Sequence, residues 1–199
     1  GCAILSLANL LVEMGDDAMA NDVFSRAWDH PLFLINSGIV IGTMPRLVED
    51  VTGGKYSGIL FYNNISEITP AGEYPIEGDR EDNSNEVLLS SLIGLAKRIA
   101  FAKNHAKRKK EKNRAIKKAF EWAVENNRLR TPITNNKDIM PSMVFGAERG
   151  FDLNLRNCHA VLLTKDNYIC DNGTKYGWIQ SDLPLIYDMV GALTLEQKL

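Results

Sequence analysis

The sequence has few cysteines and no long apolar run. Its 199 residues include only three cysteines, Cys2, Cys158 and Cys170. This low, odd number argues against a disulfide framework and favours a reducing compartment, such as the cytoplasm or a host-cell interior, or one functional thiol. The longest apolar stretches are far shorter than the roughly 20 residues that a membrane-spanning helix needs. The sequence therefore predicts no transmembrane segment.

The sequence also lacks a strong charge of one sign, since its formal net charge is −2 at pH 7. The charges are nevertheless unevenly spread, with eleven Lys or Arg and one acid in 97–118, and six acids and one Arg in 73–86. The basic cluster Lys107–Arg114 is a candidate for docking an acidic partner. No aromatic residue is interleaved there, which disfavours nucleic acid as a partner, and the commoner explanation is a solvated helix face.

The hydrophobic pattern divides the chain into a helical first part and a last part richer in strands. Its 45% hydrophobic residues suffice for the core of one ordinary domain. Helical spacing is lost at 104–114, which are either an exposed helix or a break between two helices. Helices are predicted for 2–14, 17–28, 46–51 (with Thr43 as candidate N-cap) and 86–126. Strands are predicted for 56–62 and 176–179, and a β-hairpin around His159 with its turn at 165–167. Loops are predicted for 65–85 and 128–151, and a tail follows the last strand. This order predicts an α+β fold in a single domain, 1–199, with a helical, basic insertion around 86–127.

His159 opens an apolar, β-branched stretch, which a short polar turn separates from a second run ending in Asp171 and Asn172. Two antiparallel strands joined in this way would hold the imidazole and the carboxylate side by side. A carboxylate on one ring nitrogen fixes the histidine tautomer and leaves the other nitrogen available as a base. We therefore predict that Asp171, with Asn172 as the fallback, orients His159 as a general base.

The candidate nucleophile for this base is Cys2, which stands at the start of an apolar helix. The dipole and the unpaired N–H groups of a helix start favour the thiolate and lower the pKa of a thiol. An adjacent imidazole completes the activation by forming a thiolate–imidazolium pair. The same N–H groups can bind the oxyanion that forms when an acyl group is attacked. We therefore expect Cys2 to meet His159 in the fold.

The remaining cysteines and histidines fit structural roles better. A cysteine among apolar residues is usually a small core residue, which we expect for Cys158 and Cys170. His30 precedes a proline at a helix end and His105 lies in a polar, basic run, so both are expected on the surface. A metal site built from the cysteines and His159 is not favoured, because there is no Cys-x-x-Cys pair and strand neighbours point to opposite faces.

A different interpretation of the N-terminus is lipid attachment. If a Met preceded Gly1, the run Gly1–Ser6 would match the myristoylation pattern and Cys2 would be a candidate for palmitoylation. Two acyl chains would anchor the protein stably to a membrane. The pattern requires an accessible N-terminus, however, whereas the residues from Cys2 onward predict a buried helix.

Taken together, these motifs resemble the papain-like cysteine peptidases and their transglutaminase-like relatives. Bacteriocin-processing peptidases share the apolar cysteine helix, here 2–11, and the Gly-Thr helix start that follows, here 42–47. Bacterial transglutaminase-like peptidases share the His-Ala-Val strand at 159–163, the Asp-Asn pair and a Trp shortly after, here Trp178. The resemblance covers both ends of the chain and leaves 65–150 unmatched.

The resemblance implies a papain-like fold in which the nucleophile helix packs on an antiparallel C-terminal sheet. It implies a hydrolase without a cofactor, which cleaves an amide or isopeptide bond of a peptide or protein through an acyl-enzyme on Cys2, with His159 and Asp171 completing the triad. Such enzymes place a Gln before the cysteine as an oxyanion donor, and no residue of this sequence matches it. Either that residue was lost by truncation or processing, or the oxyanion hole is built differently, or this copy is inactive. A further hypothesis is that Gly1 arises by self-cleavage of a leader.

Two other functions fit the same residues. An acyl transferase would use the same triad but would accept an amine or a thiol in place of water. A non-catalytic scaffold would keep the fold and use the basic helix 97–118 to bind an acidic partner. Binding that is sensitive to salt and does not depend on Cys2 would favour the scaffold.

Overall fold

A computed structural model describes residues 2–28, 30–34, 38–70, 92–131, 140–148, 158–171, 174–179 and 187–198. The helices are α1 (Cys2–Glu13), α2 (Asp17–Trp28), a 3-10 turn (Ile41–Thr43), α3 (Met44–Val51), α4 (Ile65–Ile68) and α5 (Leu92–Glu125). The strands are β1 (Phe33–Leu34), β2 (Gly38–Ile39), β3 (Tyr56–Tyr62), β4 (Leu129–Arg130), β5 (Ser142–Glu148), β6 (Cys158–Leu163), β7 (Tyr168–Asp171), β8 (Thr174–Ile179) and β9 (Tyr187–Gln197). The predicted α+β class, with helices first and most strands last, is confirmed.

Seven strands form one mixed sheet in the order β4-β3-β9-β5-β6-β7-β8. Neighbouring strands are antiparallel in the pairs β3–β9, β9–β5, β5–β6, β6–β7 and β7–β8. Strand β4 lies at the edge of the sheet and runs parallel to β3. Strands β1 and β2 form a separate antiparallel pair. Within the described part of the chain, no helix combines the length and the apolar character that a membrane span requires.

Two central strands contradict the sequence-based assignment. The predicted tail is wrong, because Tyr187–Gln197 forms β9 between β3 and β5, and the predicted loop at 128–151 is wrong in part, because it contains β4 and β5. In the middle of β9, consecutive residues from Val190 to Leu193 are all buried. A strand covered on both faces shows no alternation of apolar and polar residues, so its pattern did not identify it.

The helical predictions need smaller corrections. Helix α5 runs unbroken through 104–114, so this segment is an exposed helix and not a break between two helices. Helix α4 occupies the start of the predicted loop at 65–85, and 71–85 lie outside the described residues. Thr43 is not an N-cap by its side chain, because its hydroxyl donates to the carbonyl of Val40 at 2.7 Å. A Cβ at Gly42 would overlap the carbonyl of Ile68 and the ring of Phe120, so glycine is what allows α5 to pack there.

Helix α1 is held between the other helices and the sheet. Its side chains of Ile4, Leu7, Leu10 and Leu11 are all 0% exposed. The helix contacts β6 and, to a smaller extent, β5. Alternate residues of β6 serve different clusters: Ala160 and Leu162 join the cluster that contains α1, and Val161 and Leu163 join a second cluster. The apolar sequence of α1 thus brings its first residue beside the start of β6.

Candidate functional site

The start of α1 lies against the start of β6, where the carbonyl and the N–H of Ala160 both form hydrogen bonds with side chains of α1. The hydroxyl of Ser6, which is 2% exposed, donates to the carbonyl of Ala160 at 2.9 Å. The N–H of the same residue donates to the thiol of Cys2. Among the described residues, β6 pairs with β7 at Leu162 and Leu163, two residues beyond the point where Ala160 contacts α1.

The thiol of Cys2 is surrounded by groups that favour its ionised form. Burial raises its pKa, but a hydrogen bond with the His159 ring, the N–H of Ala160, the positive charge of His159 and the N–H of Ala3 together outweigh burial. The pKa of Cys2 is therefore lowered from its ordinary value. The Ala3 contact is the helix-start effect predicted from the sequence.

His159 lies between the thiol and a carboxylate. Its Nε2 is 2.7 Å from Oδ1 of Asp171, and the two side chains are 28% and 21% exposed. The hydrogen bond with Cys2 is the largest influence on the ring, burial opposes it, and Asp171 adds a hydrogen bond and a negative charge. Together they raise the pKa of His159 from 6.5 to about 9. Because Nε2 faces Asp171, Nδ1 is the ring nitrogen that serves the thiol.

The predicted hairpin brings His159 and Asp171 together as expected. Strands β6 and β7 are antiparallel, with Leu162 opposite Cys170, so Asp171 lies near the start of β6. Cys170 packs against the main core cluster, as expected for a structural cysteine. Three predicted features lie outside the described residues: Asn172, and the side chains of Cys158 and Trp178, whose backbones are in β6 and β8.

The expectation that His30 lies on the surface is wrong. Its side chain is 16% exposed, its Nε2 is 3.3 Å from Oδ2 of Asp50, and the N–H of Leu32 donates to its Nδ1 at 3.3 Å. Burial is the main reason that the pKa of His30 is lowered. These contacts form because the chain turns at Pro31 and folds the ring against α3. The backbone of His105 is in α5, and its side chain lies outside the described residues.

Ser6 was not identified from the sequence, although a signal was present. A lone hydroxyl on a largely apolar helix, one turn after the candidate nucleophile, indicates a buried polar group that needs a partner. The partner could not be identified, because Ala160 is 154 residues away in the sequence.

No similarity to known proteins indicates what this site does. In the described part of the chain, no group of three or more His, Cys, Asp or Glu side chains is arranged to hold a metal ion. No known protein family, curated protein or solved structure matches the chain. The thiol, the imidazole and the carboxylate, with the contacts between them, are therefore the features that bear on the function.

Proposed function

We propose that this protein is a thiol hydrolase of the papain-like type, a cysteine peptidase or amidase with Cys2 as its nucleophile. The observation that carries the proposal is the continuous hydrogen-bonded chain from the Cys2 thiol through the His159 ring to the Asp171 carboxylate. A nucleophile, a base and a group that orients the base are the three parts that acyl transfer through a covalent intermediate requires.

The opposite pKa shifts of the thiol and the ring support this assignment. The pKa of Cys2 is lowered and that of His159 is raised to about 9, which are the directions expected for a thiol and a ring that form a thiolate–imidazolium pair. A structural cysteine buried among apolar residues would show the reverse, since burial alone raises the pKa of a thiol. Asp171 stabilises the imidazolium and holds the tautomer whose Nδ1 serves the sulfur.

The proposed reaction follows from these roles. The Cys2 thiolate attacks the carbonyl carbon of an amide, and the carbonyl oxygen takes the negative charge. The His159 imidazolium then gives its proton to the leaving amine as the C–N bond breaks, which leaves a thioester on Cys2. The neutral ring next removes a proton from water, which attacks the thioester and releases the acid. The first N–H groups of α1 are the donors that this fold offers to the oxyanion.

Labelling with iodoacetamide tests the nucleophile. At pH 6 an ordinary thiol with a pKa of about 8.5 is less than about 1% ionised. We expect Cys2 to react at least about tenfold faster than Cys170 at this pH, with peptide mass spectrometry as the readout. His159→Ala should remove the preference and shift the reaction of Cys2 to higher pH. Cys170→Ala is the matched control and should leave the rate at Cys2 unchanged.

Equal rates at Cys2 and Cys170, or a preference that survives His159→Ala, would rule out the proposed pair. A transferase would share the acyl-enzyme, so adding a primary amine such as glycine amide to turnover assays distinguishes the two outcomes. Hydrolysis yields the free acid alone, whereas a transferase converts most of the acyl group to the glycine amide product.

A further inference from the structure

A cavity of about 330 Å³ lies between α3, α5 and the turn at Pro31. It shares no lining residue with the thiol site. Its apolar wall consists of Leu32, Ala115, Ala119 and the ring of Trp122. Its polar rim consists of His30, Arg46, Asp50 and Lys118. Its volume is at the small end of the range of about 300 to 1,000 Å³ that ligand sites occupy.

The guanidinium of Arg46 is fixed from two sides. Its Nε and Nη2 donate to the two carboxylate oxygens of Asp50 at 3.1 and 2.8 Å, and its carbon lies 5.0 Å from the centre of the Trp122 ring. Nη1 has no partner among the described residues. A planar cation held in this way keeps donors available without the entropic cost of ordering a flexible side chain on binding.

The charges on the rim are not balanced. The Asp50 carboxylate is already engaged by Arg46 and by Nε2 of His30. His30 is neutral when Leu32 donates to its Nδ1 and its own Nε2–H faces Asp50. Lys118 has no ion pair within the described part of the chain. The ionised groups therefore leave one unbalanced positive charge beside an apolar wall.

We propose that this cavity binds a small monocarboxylate with an apolar or aromatic body. The carboxylate would be held by Nη1 of Arg46 and Nζ of Lys118, and the body would lie against Leu32, Ala115 and Trp122. A guanidinium is well suited to a carboxylate because its donors match the acceptor geometry. One unbalanced charge matches a monoanion better than a dianion. The proposal is independent of the chemistry at Cys2.

Titration of the full chain with benzoate and with hexanoate tests this site. The readout is the NMR signal of the Trp122 indole N–H, assigned by its loss in Trp122→Phe. We expect saturable shifts with both probes. Benzamide and hexanamide, which keep the body and remove the charge, should bind at least about tenfold more weakly, as expected for the loss of a charge-assisted contact.

Two adjacent lysines provide a matched pair of variants. Lys118→Glu should weaken benzoate binding by about tenfold or more, because it places a negative charge on the rim. Lys117→Glu changes the same charge on the same helix, at a side chain that is 78% exposed and absent from the cavity lining. It should change the affinity by less than about twofold at 0.15 M salt. Arg46→Gln should reproduce the loss, provided that its circular dichroism matches the parent.

Three results would each overturn the proposal. The first is the absence of saturable binding by both carboxylates. The second is binding of the amides as tightly as the acids, which would indicate an apolar site without a role for the cations. The third is an equal effect of Lys118→Glu and Lys117→Glu, which would indicate general electrostatic attraction. None of these results bears on the reactivity of Cys2, so the two proposals fail separately.

Discussion

Removing the hydroxyl of Ser6 should weaken both the fold and the reactivity of the thiol. In Ser6→Ala the carbonyl of Ala160 loses its 2.9 Å donor in a site where Ser6 is only 2% exposed, so water does not readily replace it. Leaving a buried acceptor unsatisfied costs about 1 to 3 kcal/mol. We expect a loss of this size in the free energy of unfolding, measured with urea.

The same change should loosen the contact between α1 and β6 at the thiol. The carbonyl that Ser6 holds and the N–H that contacts Cys2 belong to one residue, Ala160. A shift at this residue therefore weakens both the N–H contact and the contact with His159 that lower the thiol pKa. The rate of iodoacetamide labelling at Cys2 should fall at pH 6, and the labelling profile should move to higher pH.

Ser66→Ala is the control for the hydroxyl itself. The hydroxyl of Ser66 also donates at 2.9 Å, to Oδ1 of Asn64, but this bond is exposed. Its loss should change the free energy of unfolding by less than about 0.5 kcal/mol and leave Cys2 labelling unchanged. If Ser6→Ala behaves like Ser66→Ala in both assays, Ser6 does not hold the two elements together and the reasoning is refuted.

Two further predictions concern the base and the packing of α5. Asp171→Asn removes the charge that helps to hold the pKa of His159 at about 9, so NMR titration of the histidine ring should show a lower pKa, and Cys2 labelling should begin at higher pH. An unchanged His159 pKa would contradict the assigned role of Asp171. Gly42→Ala places a Cβ against the carbonyl of Ile68 and the Phe120 ring. The free energy of unfolding, measured with urea, should therefore fall by about 1 to 3 kcal/mol. A loss below about 0.5 kcal/mol would contradict this prediction, because it would show that α5 adjusts freely to the added carbon.

Several elements were predictable because their signals are local. The predicted bounds of α2, 17–28, and of β3, 56–62, agree with the structure. Helix α1 ends as expected before Gly15, whose φ of +83° suits glycine. Asn167, with a φ of 69°, lies in the turn that joins β6 to β7. In each case the residues that make the element are the residues that signal it.

The central strands β5 and β9 could not be predicted in this way. Gly191 in β9 lies where an added Cβ would be 3.1 Å from the carbonyl of Phe61 in β3. A glycine weakens the sequence signal of a strand. The reason for a glycine at position 191 is the close approach of the Phe61 backbone, which is distant in the sequence. The burial of both faces of β9 is likewise a property of the assembled sheet and of the elements packed on it.

The sequence by itself determined the chemical groups and one contact of the site. His159 and Asp171 are twelve residues apart in one hairpin. Two strand-forming runs separated by a short polar turn were therefore enough to predict that these side chains pair. The chemistry of the residues led to the expectation that Cys2 meets His159, but only the tertiary structure decided that it does. That contact arises because burial of the apolar side chains of α1 packs the helix on β6, and Ser6 fixes it through Ala160. The hydrophobic effect has no direction, so an apolar pattern predicts that α1 is buried but not which strand it covers.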